Sequence, residues 1–415
     1  MGTINFMVVV ALIFGISLNA SAQKTNNNQS DNSIWLDQVP TSQIIKWRRH
    51  IHQNPELSFE EVNTSQYVED ILKSLGNIEV TRPSKTSVLG ILRGAREGRT
   101  VAFRADMDAL PVQEDTGLPY ASQVEGVSHA CGHDAHTAML LGTAATLSKM
   151  GKDINGTVYF IFQHAEETPP GGAIDIIESG ALDEVEAFFG MHVLPNFPVG
   201  HIGIITGDPA STASDEFRLT ITGKGSHGSM PHLGIDPIVI GAELVGALQT
   251  IVSRNVIPGE MTVLSIGKFQ AGNAPNVIAD QAELAATIRT TSAETREYVE
   301  KRIKSIVDHT VKAHGGTYDL DYTLGYPSIV NDTELTEFAK NSASKILGED
   351  KIFDAPAMTA SEDFAFYKEI APISFVTLGI GDGPANHNPG FNLDEDALEN
   401  GVKAQVQVLL DYLNR

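Results

Sequence analysis

"EFRLTITGKG", Glu216 to Gly225, alternates apolar and polar residues and is rich in β-branched side chains. The alternation predicts a strand from about Glu216 to Thr222. The elements after this strand decide the fold. "DPIVIGAELVGALQTIVSRN" opens with Asp236 as a cap and Pro237 at the first helical position, so it starts a helix. "MTVLSIGKFQ" is a second strand, and after the turn "AGNAPN" the stretch "VIADQAELAATIRT" is a third. Thr291 and Glu294 match a T-x-x-E capping box for a helix running to His314, where Gly315-Gly316 stops it. "GTYDLDYTL" is the last strand. The order β-α-β-β-α-β is the ferredoxin-like arrangement, placed at residues 214–325.

The flanks differ. Between Val80 and Gly207 the short apolar strands "SVLGILRG", "TVAFRAD", "GTVYFIFQ", "EAFFGMHV" and "GHIGIITG" are interleaved with helices, among them about Asp134–Met150 and Ala173–Ser179. After the insert, strand "ISFVTLGIG" and helix "EDALENGVKAQVQVLLDYLNR" resume the pattern. The fold class is therefore α/β: a mixed sheet flanked by helices, at 35–213 and 326–415, interrupted by the smaller βαββαβ domain. Asp215 and Tyr326-Pro327 are the hinge neighbours.

The chain has 415 residues, 42% of them apolar, and a formal charge of −23. Its size fits two domains, and a surface that acidic repels nucleic acid and anionic lipid. The run from Phe6 to about Leu18, followed by Ala20-Ser21-Ala22, reads as a signal peptide at 1–22. It is too short for a comfortable membrane span. Residues 23–34 read as a polar, disordered linker. The expected location is exported, periplasmic or secreted. The single cysteine, Cys131, then has no disulfide partner within the chain, so it is either buried and inert or tied up as a ligand.

Several strand ends carry chemistry. "RADMDALP" puts Asp106 and Asp108 after one strand, "FQHAEETPPGG" puts His164, Glu166 and Glu167 after another, "FGMHV" ends in His192, and "GPANHNPGF" brings His387. "SHACGHDAH" adds Cys131 and His133, two apart around a glycine that lets the chain bend. Functional groups gather at the carboxyl ends of strands in open α/β sheets. Taken singly, each residue reads as packing, capping or surface charge. Their convergence points to a metal site built from distant segments. Of two adjacent carboxylates in such a site, one can coordinate and the other can take a proton from water.

From "WRRHIHQNPELSFEE" onward the chain resembles the aminoacylase and carboxypeptidase superfamily of di-metal hydrolases, in its amidohydrolase branch. The motifs are "RADMDALP", "HACGHDAHTAMLLG", "AEE", "GMHV", "GKGSHGSMPH", "GNAPNVIAD" and "ANHNPGF". The resemblance implies a di-metal domain with an inserted lid at 214–325. Cys131 looks like the ligand bridging two divalent ions, with His133, Glu167, His192 and His387 completing the set. Glu166 looks like the general base, and Asp108 like a residue that orients a ligand. In the lid, His227 resembles the histidine that crosses a dimer interface to stabilise the oxyanion. Asn276 and Arg289 resemble residues that hold the substrate carboxylate, and an arginine fork suits that task. The family often has proline where Ala279 and His164 stand here; His164 lies near the expected site. The donors suit zinc, nickel, cobalt or manganese.

The implied function is metal-dependent hydrolysis of N-acyl amino acids, by a homodimer joined through the lid. A metallopeptidase of the same superfamily is the alternative, disfavoured by a cysteine at the bridging position. An exported binding protein is the second alternative, disfavoured because binding alone needs no base. The signal makes one prediction of its own: mass-spectrometric sequencing of the mature protein is expected to read from Gln23, and a chain that begins at Met1 overturns it.

Overall fold

The computed structural model describes residues 35–205 and 209–415; the expected signal and linker lie outside the described residues. The strands before the insert are β1 (Glu79–Thr81), β2 (Val88–Arg93), β3 (Arg96–Asp106), β4 (Asn155–Gln163), β5 (Ala187–Leu194) and β6 (Ile202–Ile204). The insert adds β7 (Ala213–Thr222), β8 (Ser226–His227), β9 (Thr262–Ala271), β10 (Val277–Ile278), β11 (Gln281–Thr290) and β12 (Thr317–Leu324). The chain closes with β13 (Ile352–Asp354) and β14 (Ile373–Gly379). The helices are α1 (Thr41–Gln53), α2 (Val62–Ser74), α3 (His133–Met150), α4 (Gly172–Glu178), α5 (Pro237–Thr250), α6 (Ala293–Ala313), α7 (Thr333–Leu347) and α8 (Asp396–Leu413).

The large sheet has eight strands in the order β1-β2-β4-β3-β5-β14-β6-β13. It is mixed. Its centre, β4-β3-β5-β14, is parallel throughout, while β2 and β6 pair antiparallel to their inner neighbours. Successive residues of β4 enter different cores, because side chains alternate across a strand. Phe160 and Phe162 join Ile44, Leu140 and Val402 on one face. Tyr159 and Ile161 join Ile176, Phe364 and Tyr367 on the other. Helix α3 packs against β3 and between α1 and α8, and every residue from His133 to Leu147 is buried.

The second sheet has four antiparallel strands in the order β12-β7-β11-β9, with a separate two-stranded ribbon of β8 and β10. Phe217, Leu219 and Ile221 of β7 and Leu284 and Ile288 of β11 bury one face together with residues of α5 and α6. Asp236 caps α5, its carboxylate accepting from Ile238 N at 2.9 Å, with Pro237 in the first turn. The stretch Pro237–Asn255 is long and apolar enough to cross a membrane, with mean hydropathy 1.2. Its Ile240, Leu244 and Leu248 instead pack into the core of this sheet.

Two local expectations are corrected. The cap of α6 is Ser292, whose hydroxyl accepts from Thr295 N at 3.1 Å, and not Thr291. The Thr291 hydroxyl instead donates to Met261 O. The stretch "VIADQAELAATIRT" is also not one strand. Val277–Ile278 leaves to pair with β8, and β11 begins at Gln281.

A buried ion pair joins the helices behind the sheet's carboxyl edge. Arg48 of α1 donates from Nε to Asp134 of α3 at 2.7 Å and from Nη1 to Glu395 before α8 at 3.1 Å. Burial works to raise the Asp134 carboxyl, but Arg48 and His52 outweigh it and hold it far below the usual range. Removing one partner of such a pair leaves an uncompensated buried charge. Arg48→Met is therefore expected to cost about 3–5 kcal/mol in urea unfolding; a loss below about 1 kcal/mol, typical of an exposed pair, overturns that assignment.

Candidate metal centre

The parallel strands β4, β3, β5 and β14 end on the same edge, and their following loops meet the start of α3. Gly132 has φ 89°, and a Cβ there would meet Val193 Cγ2 at 2.4 Å. Only glycine fits that left-handed turn. The turn sets Cys131 and His133 side by side at the helix entrance. One ligand atom each of Cys131, His133 and His192 lie within 4.8 Å of one another, and so do one each of Cys131, Glu167 and His387. The two trios share Cys131.

The imidazoles are oriented from behind. His133 Nδ1 donates to Asp108 O at 2.9 Å, and its buried Nε2 has no hydrogen-bond partner. His192 Nδ1 donates to Val193 O at 2.8 Å, and its Nε2 lies 3.4 Å from Cys131 Sγ. Both rings thus donate from Nδ1 and turn Nε2 toward the cysteine, the orientation a metal ligand needs. His387 sits at φ 65°, with Nε2 3.2 Å from Glu167 Oε1. Asp108 supports both sides: its Oδ2 accepts from Glu167 N at 2.9 Å and from Ser58 Oγ at 2.7 Å.

The electrostatics suit cations. Burial, then the Glu167 carboxylate, pushes the Cys131 thiol up. Burial works to lower His133, but Asp106 and Cys131 outweigh it and raise it well above the usual range. Cys131 and Glu167 raise His387 to about 10. Burial and His136 hold His192 low, as a neutral imidazole. The cluster attracts positive charge, and a metal that binds thiol and imidazole displaces their protons. An unpartnered buried Nε2 and two trios sharing one sulfur fit two divalent cations.

Glu166 is 6% exposed beside Glu167, and its carboxylate lies within 4.8 Å of those of Glu362 and Asp363. Burial, then Glu362 and Glu167, raises it well above the usual carboxylate range. Glu362 and Asp363 are neighbours of Glu166 that the sequence motifs do not mark, and Arg104, which opens "RADMDALP", takes no role there from the motif. Arg104 pairs with Asp106 at 2.6 Å, Glu362 at 3.0 Å and Asp363 at 2.7 Å, all buried. A signal for them exists: an arginine inside the apolar strand "VAFRAD" needs buried counter-charges, and "SEDFAFY" offers two acids before aromatic residues.

Other histidines separate from the centre. His136 Nδ1 donates to Asp106 at 2.6 Å and its Nε2 accepts from Val193 N at 2.9 Å, so it has no lone pair to offer. His164, expected near the site, does not join the cluster at Cys131. Its Nδ1 is 2.5 Å from Ser87 Oγ and its Nε2 is 3.4 Å from Asp175.

Cys131, Glu166, Glu167, His192, Glu362 and His387 line a cavity of about 330 Å³, walled also by Leu194, Pro356 and Met358. The lid residues do not line it. His227 and Asn276 are neighbours in the β8–β10 ribbon, where Gly228 N donates to Asn276 O at 2.8 Å. His227 Nδ1 accepts from Ser229 N at 3.1 Å, which leaves its Nε2–H free to donate. Arg289 stands apart on β11, its Nη1 on Thr287 Oγ1 at 2.5 Å.

Residues 102–411 match the profile of peptidase family M20/M25/M40. An N-acyl-L-amino acid amidohydrolase of Geobacillus stearothermophilus is 48% identical over 299 residues, 72% of this chain and 80% of that protein. An N-acetyl-L-cysteine deacetylase of Bacillus subtilis is 41% identical over 358 residues, 86% of this chain and 85% of that protein. A solved Bacillus subtilis structure, described as a dinuclear metal-binding peptidase of the M20 family, superposes with TM-score 0.79. It is 37% identical and covers 90% of this chain and 98% of that one. The parallel-strand edge, the shared-cysteine cluster and these matches agree: the chain belongs to peptidase family M20/M25/M40.

Proposed function

We propose that this protein is an amidohydrolase that cleaves N-acyl amino acids to a carboxylic acid and an amino acid. The observation that carries the proposal is the buried Glu166 carboxylate beside a cysteine-centred donor cluster. Sequence relatives described as N-acyl amino acid amidohydrolase and N-acetyl-cysteine deacetylase support the substrate class. Cys131, His133, Glu167, His192 and His387 would hold two divalent cations, with Cys131 shared between them. When bound, such cations polarise a carbonyl and lower the pKa of water from about 15.7 toward about 7.

The protein's own groups do the rest. Glu166, as its carboxylate, takes a proton from the attacking water and returns it to the leaving amine. Asp108 fixes His133 and Glu167 together. His227 offers Nε2–H to the oxyanion. Asn276 and Arg289 hold the free carboxylate of the amino acid. None of these three lines the cavity, so lid movement and a second copy of the chain, joined through the lid, would complete the site. The lid exposes Met230, Leu233, Val239 and Val277, a set of apolar side chains suited to such contact. Export, resting on residues 1–22, makes the site periplasmic or secreted.

The alternative is a peptidase acting on dipeptides, as the name of the solved Bacillus relative suggests. Activity on N-acetyl- and N-benzoyl-amino acids with none on dipeptides is expected, and the reverse overturns the proposal. Glu166→Gln is expected to lower kcat by about 100- to 10,000-fold with metal content kept; full turnover refutes its role as base. His227→Ala is expected to lower kcat by about 100-fold, again with metal kept, and loss of metal would make it a ligand or a structural residue.

A further inference from the structure

The lid joins the catalytic sheet through two crossover segments, residues 210–214 and 325–329. They are bonded to each other: Ala210 N donates to Ile329 O at 2.8 Å and Ser214 N to Tyr326 O at 3.0 Å. They are also close. A Cβ on Gly325 would meet Ser214 O at 2.3 Å. On the lid side, buried Asp215 accepts from Arg296 Nε, Gly325 N and the Tyr322 hydroxyl, each at 3.1 Å, and Arg296 Nη2 donates to Gly325 O at 2.7 Å. Both backbone groups of residue 325 are thus held by the lid.

The next residue reaches the other way. Tyr326 is 4% exposed, and its hydroxyl donates to Glu166 O at 2.7 Å. The backbone of residues 165–167 is an unusual one, with Ala165 at φ 50°. Three side chains hold it. Glu61 accepts from Ala165 N at 2.8 Å, Asp108 accepts from Glu167 N at 2.9 Å, and Tyr326 donates to Glu166 O. Of the three, only Tyr326 comes from a crossover. The other crossover grips the cavity wall, with Met358 N on Ala210 O at 2.8 Å and Thr212 N on Ala360 O at 3.2 Å.

We infer that Tyr326 is a positioning residue: its hydroxyl ties the crossover to the backbone of Glu166, so that the seating of the base follows the seating of the lid. The inference rests on Glu166 being the base. Tyr326 touches no reacting atom and acts only through that carbonyl. Movement of the lid is passed to residue 325 by the Asp215–Arg296 clamp, and from there to the turn that carries Glu166 and Glu167.

Tyr326→Phe keeps the ring, which packs edge-on to Phe366 with centroids 6.2 Å apart, and removes the hydroxyl alone. In the full-length, metal-loaded protein it is expected to lower kcat on an N-acetyl amino acid by about tenfold, the size expected for one buried hydrogen bond. KM and metal content are expected to stay within about twofold of the parent on the same grounds. Hydrogen–deuterium exchange in a peptide covering residues 163–172 is expected to quicken several-fold, while peptides of α5 and α6 keep their rates. Tyr318→Phe, which removes a lid hydroxyl bonded to Asp308 at 3.0 Å, is the control expected to change neither. A lowered Tm with unchanged kcat, or unchanged exchange in 163–172, overturns the inference. If the parent protein cleaves no N-acyl amino acid, the proposed function fails, and the exchange comparison still decides the role of Tyr326.

Discussion

The parallel register of β4, β3, β5 and β14 is the constraint on which the site depends. Asp106 pairs with Gln163, Phe103 with Phe189, and His192 with Thr377. Four neighbouring strands that run the same way must end on the same edge. Residues distant in sequence therefore arrive together: Asp108 after β3, Glu166 and Glu167 after β4, His192 within β5, and His387 after β14. The parallel arrangement needs both faces covered, and the two cores on either side of β4 supply that cover. With the edge set, the left-handed turn at Gly132 adds Cys131 and His133 from the entrance of a helix buried from His133 through Leu147.

Behind the donors lies a set of polar contacts that give each one a single orientation. Asp108 serves His133 with its carbonyl and Glu167 with its carboxylate. Asp106, held by Arg104, fixes His136, which holds Val193 N, and the carbonyl of Val193 takes His192 Nδ1–H. Buried polar groups of this kind must be satisfied, since each unpaired one costs about 1–3 kcal/mol. His133 Nε2 is among the buried polar atoms without a partner, and it faces the cluster. An unpartnered nitrogen beside a thiol, on a ring whose other nitrogen is engaged, suits a ligand position.

Much of the architecture is legible in the sequence. The alternation in "EFRLTITGKG", the Asp236-Pro237 helix start and the glycines after His314 carry local physics, and local physics needs no partner to be read. The α6 cap falls one residue from its expected place because Thr291 and Ser292 are both capable caps. The neighbouring Met261 carbonyl makes the choice by occupying the threonine hydroxyl. "VIADQAELAATIRT" reads as one strand because its composition is continuous, yet β8 draws Val277–Ile278 into a separate ribbon. His164 reads as near the site because it precedes the two glutamates, but its Nδ1 bonds Ser87 and its Nε2 faces Asp175 at 3.4 Å.

The sequence by itself determined which chemistry was at hand: one thiol, a small set of histidines and a pair of adjacent glutamates, gathered at the ends of apolar runs. It also determined the βαββαβ insert, because periods of two and 3.6 residues are written along the chain. Tertiary structure alone decided which histidines are free. His133 and His136 are three residues apart on one helix, and only the positions of Asp106 and Val193 show that one ring is fully engaged and the other is not. It alone decided that Arg104 gathers Asp106, Glu362 and Asp363 beside Glu166, and that Tyr326 reaches Glu166. Those contacts join segments that lie far apart along the chain, and their distances exist only once the sheet has aligned its strands.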